Sequence, residues 1–345
     1  MRTLSKQNHW VGTGTALLAA GMVLAVLISG ARAQESSGKT LTQKQLAREI
    51  FDTMVQVHGV QPGFRVVHAK GIVCQGMFTP SKDAATLSRA AHFQGGSILV
   101  TVRLSDGAPD PIIPDNSANA GPRGMAIRFK LPDDGETDLI AMSVNGFVVG
   151  SGEEFLALQK SIVATDPTKP HPWPVEGFLG THPRALKFVM ATQVVPVSFA
   201  TETFFSNDAF IFVNKAGVKQ AGRYQIIPFA GQHDLSDEEA RAKSANFLID
   251  DLKTNLAAGP IEYHLVVQLP NAGDPTKDPS IVWPADRKTI DMGTLSITSV
   301  VTDSSAAEKA LAFDPTDLTD GIELSDDSFP SLRSRVYTLA AAHRQ

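Results

Sequence analysis

The sequence predicts an α+β domain, an antiparallel β-barrel or sheet with helices packed outside it or inserted between its strands. Seven short segments rich in β-branched residues, each bounded by Gly, Pro, Asn or Asp, read as strands. Longer stretches between them repeat apolar residues at helical spacing. Cys74 is the only cysteine, so no internal disulfide can form and the core alone must hold the fold.

In chain order, basic Arg2 and Lys6 come first, then an apolar run from Ala16 to Ile28, then Ala31-Arg32-Ala33. That is the order of a secretory signal peptide occupying residues 1–33, cut after Ala33. The expected mature domain is 34–345, exported and periplasmic, with a membrane anchor only if the leader is retained. Leu46, Ile50 and Met54, flanked by Phe51 and Val55, then predict a short amphipathic helix from Thr42.

The predicted strands are SILVTVRL from Ser97, MAIRFK from Met125, DLIAMSV from Asp138, AFIFV from Ala209, YQIIPF from Tyr224, EYHLVVQL from Glu262 and TLSITSVV from Thr294. Helices are predicted from Gly152 to Ala164, after His182, and from Asp237 to Ala258. Ser236 and Glu239 make a capping box for the last of these, and Gly259-Pro260 ends it. TKPHPWP, from Thr168 to Pro174, reads as a surface crossover.

At 345 residues with 43% hydrophobic content and a formal net charge of -5, the chain shows no bias toward nucleic acid. Gly12-Thr13-Gly14 follows no strand and lacks a third glycine, which excludes a dinucleotide fingerprint. Gly150-Ser151-Gly152 is not a nucleophile elbow. Asp314, Asp317 and Asp320 are spaced by three, out of register for a calcium loop, and read as turns.

Two stretches remain as candidate chemistry: FRVVHAKG, with Arg65 and His68, and the terminal SLRSRVYTLAAAHRQ. There one of only three tyrosines, Tyr337, follows Arg333 by four residues, a spacing that stacks guanidinium beside phenol on a helix. Ionising that phenol near neutral pH means lowering its pKa from about 10 to about 7, roughly 4 kcal/mol. A bound ferric ion could supply that, and tyrosinate is one of the few proximal haem ligands that proteins offer.

FRVVHAKG, VRLS from Val102, GPRGMAIRF from Gly121, DLIAM from Asp138, VWP from Val282, AFDPTDLTDGIELSDD from Ala312 and the Arg333 to Tyr337 pair together resemble the haem catalase superfamily, in order through nearly the whole mature chain. The resemblance implies a catalase-like barrel and a C-terminal haem-ligand helix. It makes Tyr337 the iron ligand, Arg333 its partner, His68 the distal catalyst and Ser105 the residue orienting its ring. It also implies haem, most simply haem b, with Arg65, Arg103 and Arg344 pairing with its propionates, Val67 crowding its distal face and Phe155 stacking on the porphyrin.

Met142 occupies the place of the distal asparagine of catalases, and Asn145 falls three residues late, so full dismutation of peroxide is in question. The reduced length resembles the small catalase-related peroxidases. The expected activity is therefore peroxidase, with peroxide and a small-molecule electron donor as partners, in a monomer or small homo-oligomer. A true catalase, a haem-dependent hydroperoxide lyase or synthase, and a non-catalytic haem carrier are the alternatives. Cys74 is a poor rival iron ligand, because nothing nearby would depress its pKa.

Overall fold

The computed structural model describes residues 41–59 and 61–344, so the leader and its Ala33 cleavage site lie outside the described residues. Its strands are β1 (Gly71–Pro80), β2 (Ile98–Ser105), β3 (Gly124–Lys130), β4 (Glu136–Met142), β5 (Val195–Pro196) and β6 (Phe204–Phe205). They continue as β7 (Phe210–Val213), β8 (Lys219–Pro228), β9 (Asp234–Leu235), β10 (Ile261–Gln268), β11 (Thr289–Val300) and β12 (Ile322–Leu324). The helices are α1 (Gln43–His58), α2 (Ala84–Leu87), α3 (Gly152–Val163), α4 (Pro174–Thr181) and α5 (Pro183–Ala191). After them come α6 (Asp237–Ala242), α7 (Phe247–Ala258), α8 (Ser304–Ala310) and α9 (Phe329–Arg344).

Eight strands close an antiparallel barrel in the order β10, β11, β1, β2, β3, β4, β6, β8, and pairing of β8 with β10 shuts the ring. Closure leaves no exposed edge along that ring. β7 and β12 extend from β8, and β5 pairs with β9 apart from the barrel. Alternation fits the pleat: Ile261, Tyr263, Leu265 and Val267 on β10 are buried while Glu262 faces out. Phe78 and Phe129 meet edge to face at 5.3 Å in the core, and the Tyr263 hydroxyl donates to the Phe199 carbonyl at 2.7 Å.

Of the long barrel strands, β1 is the one that the sequence pattern does not announce, because Gly71, Gly76 and Pro80 punctuate it like turn material; the two-residue β6 goes unannounced as well. Its glycine has a packing cause. A Cβ on Gly76 would stand 2.3 Å from the Ser296 carbonyl oxygen of β11, at a bulge between Gln75 and Gly76.

The helix predicted from Asp237 to Ala258 is two helices, α6 and α7, broken at Lys243–Asn246. The break turns the Ala245 carbonyl toward Lys70 Nζ at 3.1 Å and the Asp115 amide at 2.8 Å. Asn116 Nδ2 then donates to the Ala240 and Lys243 carbonyls at the end of α6, and Asp115 accepts from the Leu248 amide in the first turn of α7. Long-range bonds thus offset the helical ones that are lost.

α9 is held from outside the barrel. Leu332 and Val336 pack against Leu46, Ala47, Ile50 and Phe51 of α1 and Leu156 of α3. Among the described residues no helix is long and apolar enough to cross a membrane.

Candidate functional site: one cavity between the barrel and the last helix

His68 sits in a loop just before β1, with a positive φ of 55°. Histidine tolerates that region better than most residues, and the neighbours fix it there. Its amide donates to the Gly107 carbonyl at 3.0 Å and the Ala69 amide to the Ala108 carbonyl at 3.0 Å. The Arg103 guanidinium donates to the His68 carbonyl at 2.7 Å.

The ring is oriented by Ser105, the last residue of β2, whose Oγ lies 3.1 Å from His68 Nδ1. Gly124 on β3 provides the room. A Cβ there would stand 2.8 Å from Ser105 Oγ and 2.9 Å from His68 Nδ1, so this pair requires glycine beside it. Burial, reinforced by the positive charge of Arg103, pushes the His68 pKa down to about 3. The imidazole is therefore neutral across the ordinary pH range and able to accept a proton.

Tyr337 and Arg333 lie one turn apart on α9, as their spacing predicts. Arg333 Nη2 donates to the phenol oxygen at 3.0 Å, and the guanidinium carbon lies 5.5 Å from the ring centroid. The other arm of Arg333, Nη1, donates to Asp208 Oδ2 at 2.5 Å. Burial alone would weaken the Arg333 charge, but Tyr337 and Asp208 more than offset it and hold its pKa above the usual arginine value. Burial conversely pushes the Asp208 carboxyl upward against the pull of Arg333. Asp208 sits in the turn between β6 and β7, where no local pattern marks it.

Three more arginines gather at the same cavity. Arg65 and Arg103 share Glu308 of α8, through Nη1 at 2.6 Å and Nε at 2.8 Å respectively. Arg65 Nη2 and Arg344 Nη2 both donate to the Leu311 carbonyl at 2.9 Å. Burial, then repulsion from Arg103, brings the Arg65 pKa down to about 9 despite Glu308.

Arg65, Val67, His68, Arg103, Ser105, Arg333, Tyr337 and Arg344 thus line one cavity of about 1120 Å³, counted with the space at its mouth. Residues from the two ends of the described chain meet there. Phe155 is a correction: it does not line the cavity. It packs behind Phe147, ring centroids 5.8 Å apart, and Phe147 forms the wall. Helix α3 turns the Phe155 side chain toward the α1 and α4 cores, leaving the aromatic wall to the loop before it.

Met142 lines the cavity at the end of β4, paired in register with Gly124. Asn145 is not among the lining residues. The Asn207 amide is, but it is engaged on both sides, accepting from the Gly146 amide at 2.7 Å and donating to the Val144 carbonyl at 3.0 Å.

The rival readings fall away. Cys74 is buried in the barrel core away from the cavity, and burial pushes its thiol up to about 12. Asp314 spends its carboxylate on Thr316 and Ser334, and Asp320 pairs with Arg89 at 2.6 Å, which makes them turn and ion-pair residues. Among the described residues no cluster of three or more His, Cys, Asp or Glu could hold a metal ion.

Comparison with known proteins agrees with this architecture. A catalase-related peroxidase from Mycolicibacterium paratuberculosis is 34% identical over 299 residues, covering 86% of this chain and 94% of that protein. Another from Synechococcus elongatus is 33% identical over 302 residues, covering 86% of this chain and 88% of that protein. Among solved structures, a bacterial catalase superposes with a TM-score of 0.69 at 20% identity, covering 92% of this chain and 63% of the other. Catalase A from Saccharomyces cerevisiae gives 0.70 at 20% identity, covering 92% and 68%. The chain therefore spans about two thirds of the length of the solved catalases. The family model for catalase matches residues 30–345, the whole barrel and the tyrosine helix together, and the chain belongs to the catalase family.

Proposed function

We propose that the protein is a haem-dependent peroxidase that reduces hydrogen peroxide or an organic hydroperoxide with electrons from an external small-molecule donor. The cavity fits haem on its own features. Its walls are largely apolar, three guanidiniums stand at one corner, and buried Arg344 Nε has no hydrogen-bond partner in the protein. A flat apolar ring carrying carboxylates answers all three. Bound haem would supply iron for cleaving the peroxide bond and for storing oxidising equivalents until the donor arrives.

Tyr337 is the residue to hold the iron, since its phenol enters the cavity with a guanidinium already at the oxygen. Arg333 Nη2 donates to that phenol oxygen, and Asp208 keeps Arg333 aimed. Nδ1 of His68 is engaged by Ser105, so Nε2 is the nitrogen left to take a proton from the peroxide and return it to the departing oxygen. Arg65, Arg103 and Arg344 would receive the propionates. The observation that carries the proposal is the meeting of the His68–Ser105 and Arg333–Tyr337 pairs at one cavity.

Met142 favours peroxidase over catalase. The side-chain amide of the lining Asn207 already gives one acceptor position to the Gly146 amide and one N–H to the Val144 carbonyl, so backbone contacts hold it in place. The leader, read from sequence alone, supports export to the periplasm, and haem b is the simplest cofactor.

The test is a stopped-flow spectrum of the haem-loaded protein mixed with peroxide, with and without a phenolic donor, alongside oxygen evolution. The expected result is a ferric tyrosinate spectrum that disappears in Tyr337→Phe, donor-dependent turnover and little oxygen. Strong oxygen evolution indifferent to donors would identify a catalase instead. Rearranged product without any reductant would identify a lyase or synthase, and unchanged kinetics in His68→Ala would identify a haem carrier.

A further inference from the structure

The three arginines at the cavity corner do not stand alone, and their partner was not foreseen from sequence. Glu308 receives Arg103 Nε on both carboxylate oxygens at 2.8 Å and Arg65 Nη1 at 2.6 Å. It does so from α8, a helix with no buried residues, while its own side chain is only 16% exposed. Glu308 is not among the residues that line the cavity, so it grips the guanidiniums from the rear. The backbone takes further donors: Arg103 Nη2 goes to the His68 carbonyl, and Nη2 of Arg65 and of Arg344 to the Leu311 carbonyl. Arg344 Nε is left buried without a partner.

Three guanidinium charges against one carboxylate leave the corner at +2. A ligand with two carboxylates neutralises it. We infer that Glu308 is a positioning residue for the cofactor's carboxylates, holding Arg65 and Arg103 from behind and trimming the corner to the charge of a dianionic ligand. The inference rests on the haem reading and adds a fourth residue to the corner. Its physical basis is mutual repulsion. Three half-buried like charges this close destabilise the empty protein, and one internal carboxylate relieves that. The same carboxylate repels the incoming ligand, so Glu308 gives up part of the cofactor affinity in exchange for a stable empty pocket.

The experiment titrates the cofactor-free protein with iron-free protoporphyrin, which carries two carboxylates, and with its dimethyl ester, following porphyrin fluorescence. Wild-type protein is expected to bind the diacid at least tenfold more tightly than the ester, as a charge-assisted contact predicts. Glu308→Gln should tighten the diacid by on the order of tenfold, leave the ester unchanged, and lower the melting temperature of the empty protein more than that of the diacid complex. Glu308→Asp, which keeps the charge, should retain the wild-type diacid-to-ester ratio.

Should Glu308→Gln not fold alone, it is expected to fold in the presence of the diacid and not of the ester, because the diacid supplies the negative charge that was removed; equal rescue by both would overturn the role of Glu308. Equal effects of Glu308→Gln on both porphyrins, or an unchanged diacid affinity, would overturn the role of Glu308 while leaving the haem reading intact. A folded wild-type protein that binds neither porphyrin would overturn the haem reading itself, and this inference with it.

Discussion

Single atoms decide the site. Gly124 separates β3 from the His68–Ser105 pair by less than one methyl group, so Gly124→Ala must push the imidazole or the hydroxyl out of place. The expected outcome is a folded, haem-binding protein whose rate with peroxide falls by about tenfold to a hundredfold, the span expected when a general base is misaligned. A rate within a factor of two of wild type would show that ring orientation by Ser105 is unimportant. Met142 is the complementary position. Met142→Asn places an amide at the end of β4 beside Gly124, and oxygen evolution from hydrogen peroxide should rise relative to donor oxidation. An unchanged ratio, measured with an oxygen electrode and a phenolic donor in parallel, would mean that the amide does not set the outcome.

These residues were unequally legible. The Arg333 to Tyr337 spacing is a local signal, and the helix delivers it without tertiary help. Asp208 reaches Arg333 across 125 positions and Glu308 reaches Arg103 across 205, and nothing near either acid announces the partner. Phe155 was placed on the porphyrin by resemblance alone, and nothing in the pattern around it says which of two apolar clusters its side chain meets.

At the scale of elements, α9 carries the proposed iron ligand, Tyr337, and is positioned by other helices. Leu332, next to Arg333 and 3% exposed, fills the contact with α1 and α3. Leu332→Ala should cost about 3 kcal/mol of stability, within the range for a large-to-small change in a packed core. It should also speed haem loss, read by transfer of haem to an apo-globin acceptor. Unaltered haem retention in a measurably destabilised variant would show that α9 is held by its cavity contacts alone. α1 is thus part of the support for the α9 helix. The break between α6 and α7 belongs to this scale too, since Lys70 and Asp115 claim the backbone where local sequence would have continued the helix.

At the scale of the whole molecule, the buried titratable groups fall into two opposed sets. Burial holds His58 at about 4 and both His68 and His92 at about 3, below the usual 6.5. Each contributes stability that is present above about 6.5 and is lost as pH falls, because the unfolded chain takes up the proton first. Burial holds Asp106, Glu202 and Asp327 up at about 7. Each contributes stability that is present below its ordinary carboxylate range and is lost as pH rises toward 7. Over about pH 5 to 7 the two sets oppose each other, and buried Asp138 and Asp208, also held upward, add to the carboxylate side, so the unfolding free energy should decline gently as pH rises there and also fall below about pH 4. Denaturant melts across that range check this, and stability that rises between pH 5 and 7 would contradict it.

Local sequence specifies the kinds of element, most of the barrel strands, the four-residue pairing of Arg333 with Tyr337, and a motif order resembling one family. All of these are written in short windows, where side-chain period and capping residues act on neighbours. Packing between distant segments makes β1 a barrel strand despite its glycines, puts Phe147 rather than Phe155 on the wall, and brings Asp208 and Glu308 to the charged groups around the cavity. Those contacts join residues far apart in the chain. They form because barrel closure and the packing of α9 bring those residues together in a low-dielectric interior, where a buried charge must find its partner wherever the fold puts it.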